Sequence, residues 1–148
     1  MNTTPRRANA GFTLIETVIA MAVAAVMSSI AVPALQGHVH KARRADGLVA
    51  LMSLQLAQER WRANAAAYGS LAEIGASPVS PQRHYLIEVI DPSATGFAAL
   101  ASATGVQAAD RACRHLRLSL VAGSPRYQSG PDTTVANSAA DNRRCWSL

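Results

Sequence analysis

The stretch from Phe12 to Leu35 constrains this chain more than any other. It holds 24 residues and a single charge, Glu16. A run of about 20 apolar residues is long enough to cross a bilayer as a helix. The carboxylate falls in the first turns of that helix, and an acid at bilayer depth costs roughly 2.5–3.5 kcal/mol on insertion scales. A charge in such a place is expected to have a partner and a task. The order of the surrounding features is also informative. A secretory signal carries its small-residue cleavage site after the apolar core, whereas Gly11 precedes it here. A cut after Gly11 would remove a polar stub bearing Arg6 and Arg7 and leave the apolar helix on the product. The plain alternative is an ordinary single-pass anchor with a Glu near the headgroups.

Gly11-Phe12-Thr13-Leu14-Ile15-Glu16 resembles the processing site of the type IV pilin family, with every position of the motif met. The resemblance implies cleavage between Gly11 and Phe12 by a prepilin peptidase on the cytoplasmic face, followed by N-methylation of Phe12. It assigns Glu16, with Thr13, to fibre assembly. An α-amino group has a reference pKa near 8 and is largely cationic at neutral pH, so the Phe12 amine of a neighbouring subunit is the expected partner of Glu16. Arg6 and Arg7 favour a cytoplasmic N-terminus, although Lys41, Arg43 and Arg44 on the other side weaken that bias. The resemblance implies a periplasmic C-terminal part. The expected organisation is a cleaved leader at 1–11, a transmembrane half-helix at 12–35 and a periplasmic head at 36–148 that includes the rest of the helix. Before assembly the protein is expected in the inner membrane; afterwards, in the pilus at the cell surface.

Beyond the span, Leu35, Val39, Ala42, Ala45, Val49, Met52 and Leu56 recur at spacings of three and four, which puts them on one helical face. The pattern fades near Asn64, and Tyr68-Gly69-Ser70 reads as a stop. A helix from Phe12 to Asn64 would be about 80 Å long, a hallmark of the pilins. Pro33 removes a backbone bond and crowds the carbonyl of Ser29, so a kink is expected there. Ser28 and Ser29 can satisfy the freed groups.

The segment Leu71–Pro81 reads as a loop, punctuated by Gly75, Pro78 and Pro81. Strand candidates follow at His84–Ile90, Phe97–Ala103 and Leu116–Val121, the last alternating Leu116, Leu118 and Leu120 with Arg117 and Ser119. A short fourth is expected near Arg126–Gln128. The segment Ser129–Asn142 reads as an irregular loop. The fold class is therefore α+β. In the terms of the resemblance it is a type IV pilin fold: a long N-terminal helix, half of it transmembrane, on a sheet of three to four antiparallel strands with a disulfide-bounded C-terminal loop.

In the periplasm that the resemblance implies, Cys113 and Cys145 read as one disulfide, although the residues alone leave two free thiols open. Such a bridge would contribute roughly 3–4 kcal/mol in the chain-entropy model. No C-x-x-C pair exists and His38, His40, His84 and His115 show no ligand spacing, so neither a metal nor any other cofactor is expected. Arg43-Arg44-Ala45-Asp46, the segment Leu51–Trp61, Ala108–Cys113 and Cys145-Trp146 are similar to minor pilins of type IVa systems.

The chain carries 14 Lys+Arg against 9 Asp+Glu. Loss of the leader leaves twelve against nine, too mild an excess to announce nucleic acid. No catalytic motif is present, so an enzyme is not expected. Arg111, Arg114, Arg117, Arg143 and Arg144 would become neighbours if the disulfide forms and could then track a DNA backbone. A solvated face, or salt bridges to Asp110 and Asp141, is the simpler account. The expected function is that of a minor pilus subunit, with other major and minor pilins, the prepilin peptidase, the inner-membrane assembly machinery and the membrane itself as partners. It would prime or join the fibre in support of adhesion, twitching motility or DNA uptake. Three alternatives remain: a pseudopilin of type II secretion, a DNA-binding uptake pilin, and a membrane-anchored protein outside any fibre.

Overall fold

The computed structural model describes residues 12 to 147, apart from the side chains of residues 32 to 34. Its first element is helix α1, Leu14–Arg62. Thr13 stands at the N-cap. Its Oγ1 accepts from the Glu16 N–H at 3.4 Å and its carbonyl from the Thr17 N–H at 3.2 Å, satisfying amides that a helix start leaves bare. The chain divides into two compact units, one up to Gln36 and one from Gly37 onward.

In the first unit every described side chain from Phe12 to Ala31 is exposed, and the helix is long and apolar enough to cross a membrane. The hydroxyls of Thr17, Ser28 and Ser29 each donate to a carbonyl three or four residues back, at 2.7 Å. No hydroxyl proton of these three is left to be satisfied by lipid, which has no acceptor to offer. The side chain of Pro33, where a kink is expected, lies outside the described residues; the helical assignment runs through that position.

The second unit is the head. Strands β1 (Tyr85–Ile90), β2 (Gly96–Ala103), β3 (His115–Val121) and β4 (Ser124–Gly130) form an antiparallel meander in the order β1-β2-β3-β4. Its inner face carries Tyr85 and Ile87, then Phe97, Ala99 and Ala101, then Leu116, Leu118 and Leu120, all buried. The second half of α1 packs on this face through Leu51 and Leu54. Ala99 and Ala101, fully buried, give β2 little bulk and leave room for those leucines. Gly96 is required for closeness of another kind: a Cβ there would lie 2.0 Å from the Leu120 carbonyl oxygen.

The apolar face read at Leu35, Val39, Ala42, Ala45, Val49, Met52 and Leu56 is not the face the sheet covers. Val49, Met52 and Leu56 remain 53%, 51% and 59% exposed. The covered positions are Arg44, Gly47, Leu51, Leu54 and Gln58, a three-four spacing as well, but one built partly from polar residues and glycine. Gly47 is there because the Tyr85 ring lies against the helix, 3.0 Å from where a Cβ would sit. One expectation is corrected: Ser129–Asn142 is not one irregular loop. β4 runs to Gly130, and a helix α2 spans Ala139–Trp146. Ser138 caps α2 by accepting from the Asp141 N–H at 3.2 Å. Trp146 stacks on Tyr127 with ring centroids 4.8 Å apart and donates its indole N–H to the Gln128 carbonyl at 3.0 Å. The expected disulfide Cys113–Cys145 is formed, with Cα atoms 5.4 Å apart.

Candidate functional site

Three features of this chain can carry a function: the start of α1, the uncovered face of its second half, and the basic residues around the disulfide. At the start of α1, Gly11 lies outside the described residues. Phe12 is 78% exposed. Glu16 is exposed as well, and no hydrogen bond or ion pair engages its carboxylate among the described residues. A carboxylate on an otherwise apolar surface is chemically suited to take a cation from another chain.

The uncovered face consists of Val49, Met52 and Leu56 at helical spacing, with Val39 a further ten residues back at 37% exposure. Singly such residues need no explanation, but a row of large apolar side chains on one helix face marks an interaction surface. Its chemistry is that of helix packing.

The five arginines singled out in the sequence fare differently. Arg114 is half-buried, and its Nε donates to the Ala108 carbonyl at 2.9 Å. Arg117 is also half-buried; it donates to the Thr133 carbonyl at 2.7 Å while its Nε is buried without a hydrogen bond. Arg144 is exposed and pairs with Asp141 at 3.0 Å. Arg111 and Arg143 are exposed. The disulfide packs the 3₁₀ turn Arg111–Cys113 against α2, so Arg111, Arg143 and Arg144 belong to one end of the head. Of the two expected salt bridges, that to Asp141 is present, whereas Asp110 is taken by a residue outside the set.

That residue is Arg44. Its Nε lies 3.1 Å from Asp110 Oδ2. One of its terminal nitrogens donates to Cys113 Sγ at 3.2 Å and to the Arg144 carbonyl at 3.1 Å. It thus joins α1 to both flanks of the disulfide. Next to it, Gln107 is fully buried. Its amide donates to the Tyr85 hydroxyl at 3.1 Å and to the His40 carbonyl at 3.2 Å, and its oxygen meets His40 Nδ1 at 3.2 Å. Burial pushes the Tyr85 hydroxyl up to about 12, although the Gln107 bond opposes the shift. Two residues after Arg44, Asp46 accepts from Ser80 Oγ at 2.5 Å and from the N–H groups of Gln82 and His84 at 2.9 and 3.2 Å. This bracket holds a turn in which Arg83 has a positive φ of 61°. Sequence reasoning missed Arg44 and Asp46 as structural residues. Both sit among charged neighbours that read as a solvated face, and only their distant partners show otherwise. On the far side of the sheet, His115 meets Ser102 Oγ at 3.0 Å. Desolvation, and then Arg114, hold His115 below the usual imidazole range. Asp132, bonded by Thr134, is held below the usual carboxylate range.

A helix that begins with a lone acid on an apolar surface and ends on a disulfide-closed antiparallel sheet defines the class of type IV pilins. Residues 6–32 match the prokaryotic N-terminal methylation motif. Residues 33–117, more than half of the chain, match the family described as type IV minor pilin ComP, DNA uptake sequence receptor, and the chain belongs to that family. No curated protein matches it.

Proposed function

We propose that this chain is a structural minor subunit of a type IV pilus, anchored in the inner membrane by residues 12–35 and bearing its head in the periplasm before assembly. Pilin families are structural rather than catalytic, and no catalytic role is assigned here. A prepilin peptidase removes residues 1–11 and methylates Phe12. Glu16 takes the Phe12 amine of a neighbouring pilin, and that contact sets the axial register of the incoming subunit. The single observation that carries the reading is the pairing of the methylation motif with a large apolar helix face, at Val49, Met52 and Leu56, that the head leaves uncovered. A monomer has no use for that face, whereas a fibre core built from packed helices does. The test is mass spectrometry of sheared fibres. The expected peptide begins at N-methylated Phe12. A chain beginning at Met1 in the fibre, or no chain there at all, overturns the proposal.

A second reading, in which the head contacts DNA during uptake, is favoured by the description of the family as a DNA uptake sequence receptor. The basic residues available for that contact are Arg111, Arg114, Arg117, Arg143 and Arg144. It predicts that the intact protein in detergent retains duplex DNA in a salt-sensitive manner. Retention that survives replacement of Arg111, Arg143 and Arg144 by Gln removes those residues from the reading. A pseudopilin role is the remaining rival, and recovery of the chain from pili rather than from a secretion complex separates the two.

A further inference from the structure

The basic end of the head lies close along the chain to the end of the apolar span. Lys41 is six residues past Leu35 and Arg43 eight. Six residues reach no further than about 21 Å fully extended and about 9 Å as helix. Arg111 and Arg143 are brought to the same place by Arg44, which binds Asp110, next in sequence to Arg111, and the carbonyl of Arg144, next to Arg143. Lys41 precedes Arg44 by one helical turn. Lys41, Arg111 and Arg143 are exposed, Arg43 is half-exposed, and none of the four is ion-paired among the described residues. The acids in this neighbourhood are already engaged: Asp110 by Arg44, Asp141 by Arg144, and Asp46 by Ser80, Gln82 and His84. Four cations without an ion-pair partner among the described residues are therefore carried by the elements of the head that Arg44 ties together.

We infer that this basic collar binds anionic phospholipid headgroups at the membrane surface while the subunit is still anchored. Two facts select lipid over another polyanion. Lys41 and Arg43 follow the apolar span by only six and eight residues, and Lys and Arg beside a membrane helix are the pattern that anionic lipid attracts. The long stems of Lys41 and Arg43 can lie along apolar surface while their heads reach the phosphates. The attraction falls off within a Debye length, about 10 Å at moderate salt, which suits residues this near the span. The inference rests on the anchored-pilin reading above.

The test uses the full chain in nanodiscs of equimolar phosphatidylcholine and phosphatidylglycerol, with the lipids that stay with the protein on extraction measured by mass spectrometry. Phosphatidylglycerol is expected to be enriched by at least about fivefold, the effect of roughly one well-placed cation. The enrichment should fall toward parity at high salt. It should also fall in the variant Lys41→Gln, Arg43→Gln, Arg111→Gln, Arg143→Gln, but persist in Arg126→Gln on β4. A variant exchanging Lys and Arg at the four positions keeps the charge and should keep the enrichment, which separates lost binding from lost folding. Parity in the unaltered chain, or enrichment that the four Gln substitutions leave intact, overturns the inference. So does duplex DNA that binds equally in discs with and without phosphatidylglycerol yet is lost in the Gln variant, since the collar would then serve DNA. A chain that fails to enter the discs at all sinks the anchor reading itself, and this inference with it.

Discussion

At the scale of single residues, the head is tied to its helix by polar groups as well as by the apolar contacts of Leu51 and Leu54. Asp46 is the clearest case, since its carboxylate is the acceptor for Ser80 Oγ and for two backbone N–H groups. Leaving those donors unsatisfied costs about 1–3 kcal/mol. Asp46→Ala should therefore lower stability by roughly that amount in urea unfolding, whereas Glu59→Ala, exposed on α1, should change it by less than about 0.5 kcal/mol. Tyr85 supplies a pH test. Its folded-state hydroxyl sits at about 12 against an ordinary value of 10.0. The raised value means that the neutral form is favoured in the fold. The associated stability is complete below pH 10 and is lost as pH rises through 12. The loss is on the order of 2–3 kcal/mol over that window, and Tyr85→Phe should flatten it in alkaline unfolding curves. His115 works in the opposite sense. Its lowered value gives stability that is present above about pH 6.5 and declines as pH falls.

At the scale of elements, α1 has two faces with two fates, and substitutions should separate them. Leu51→Ala, in the core under the sheet, should cost about 2–5 kcal/mol. Val49→Asn, Met52→Asn and Leu56→Asn together touch nothing in the monomer core, so unfolding should shift by about 0.5 kcal/mol or less per site, while recovery of the chain in sheared fibres should drop sharply. The strands and the helix were legible in the sequence, through the alternation at Leu116–Leu120 and the unbroken apolar run, whereas the bridge was legible only with the periplasmic setting that the family resemblance implied, since two cysteines alone leave free thiols open. The face of α1 that meets the sheet was not legible. Periodicity selects the most apolar stripe, but here that stripe lies at Val49, Met52 and Leu56. The stripe beneath the sheet contains Arg44, Gly47 and Gln58, whose partners lie far away in sequence. Helix α2 was hidden for a related reason. Its sequence is mostly polar, and it is held by Cys145, Trp146 and the Ser138 cap rather than by an amphipathic pattern. For the candidate site, the motif at Gly11–Glu16 was plain, while the grouping of basic residues depended on Arg44.

At the scale of the whole molecule, Arg44 and the disulfide bind the last element of the chain back to its first. The bridge joins cysteines 32 positions apart in sequence, and the ring it closes contains β3, β4 and most of α2. This closure has a mechanical consequence for a chain under tension. When the oxidised chain is stretched from its two ends, the ring cannot pay out its contour. At about 3.4 Å per residue, roughly 110 Å of extension stays locked. Single-molecule force spectroscopy should record a contour increment shorter by that length than for the reduced chain. Along the covalent chain, force therefore passes from Cys113 directly to Cys145, and β3 is loaded only through its ladder to β2.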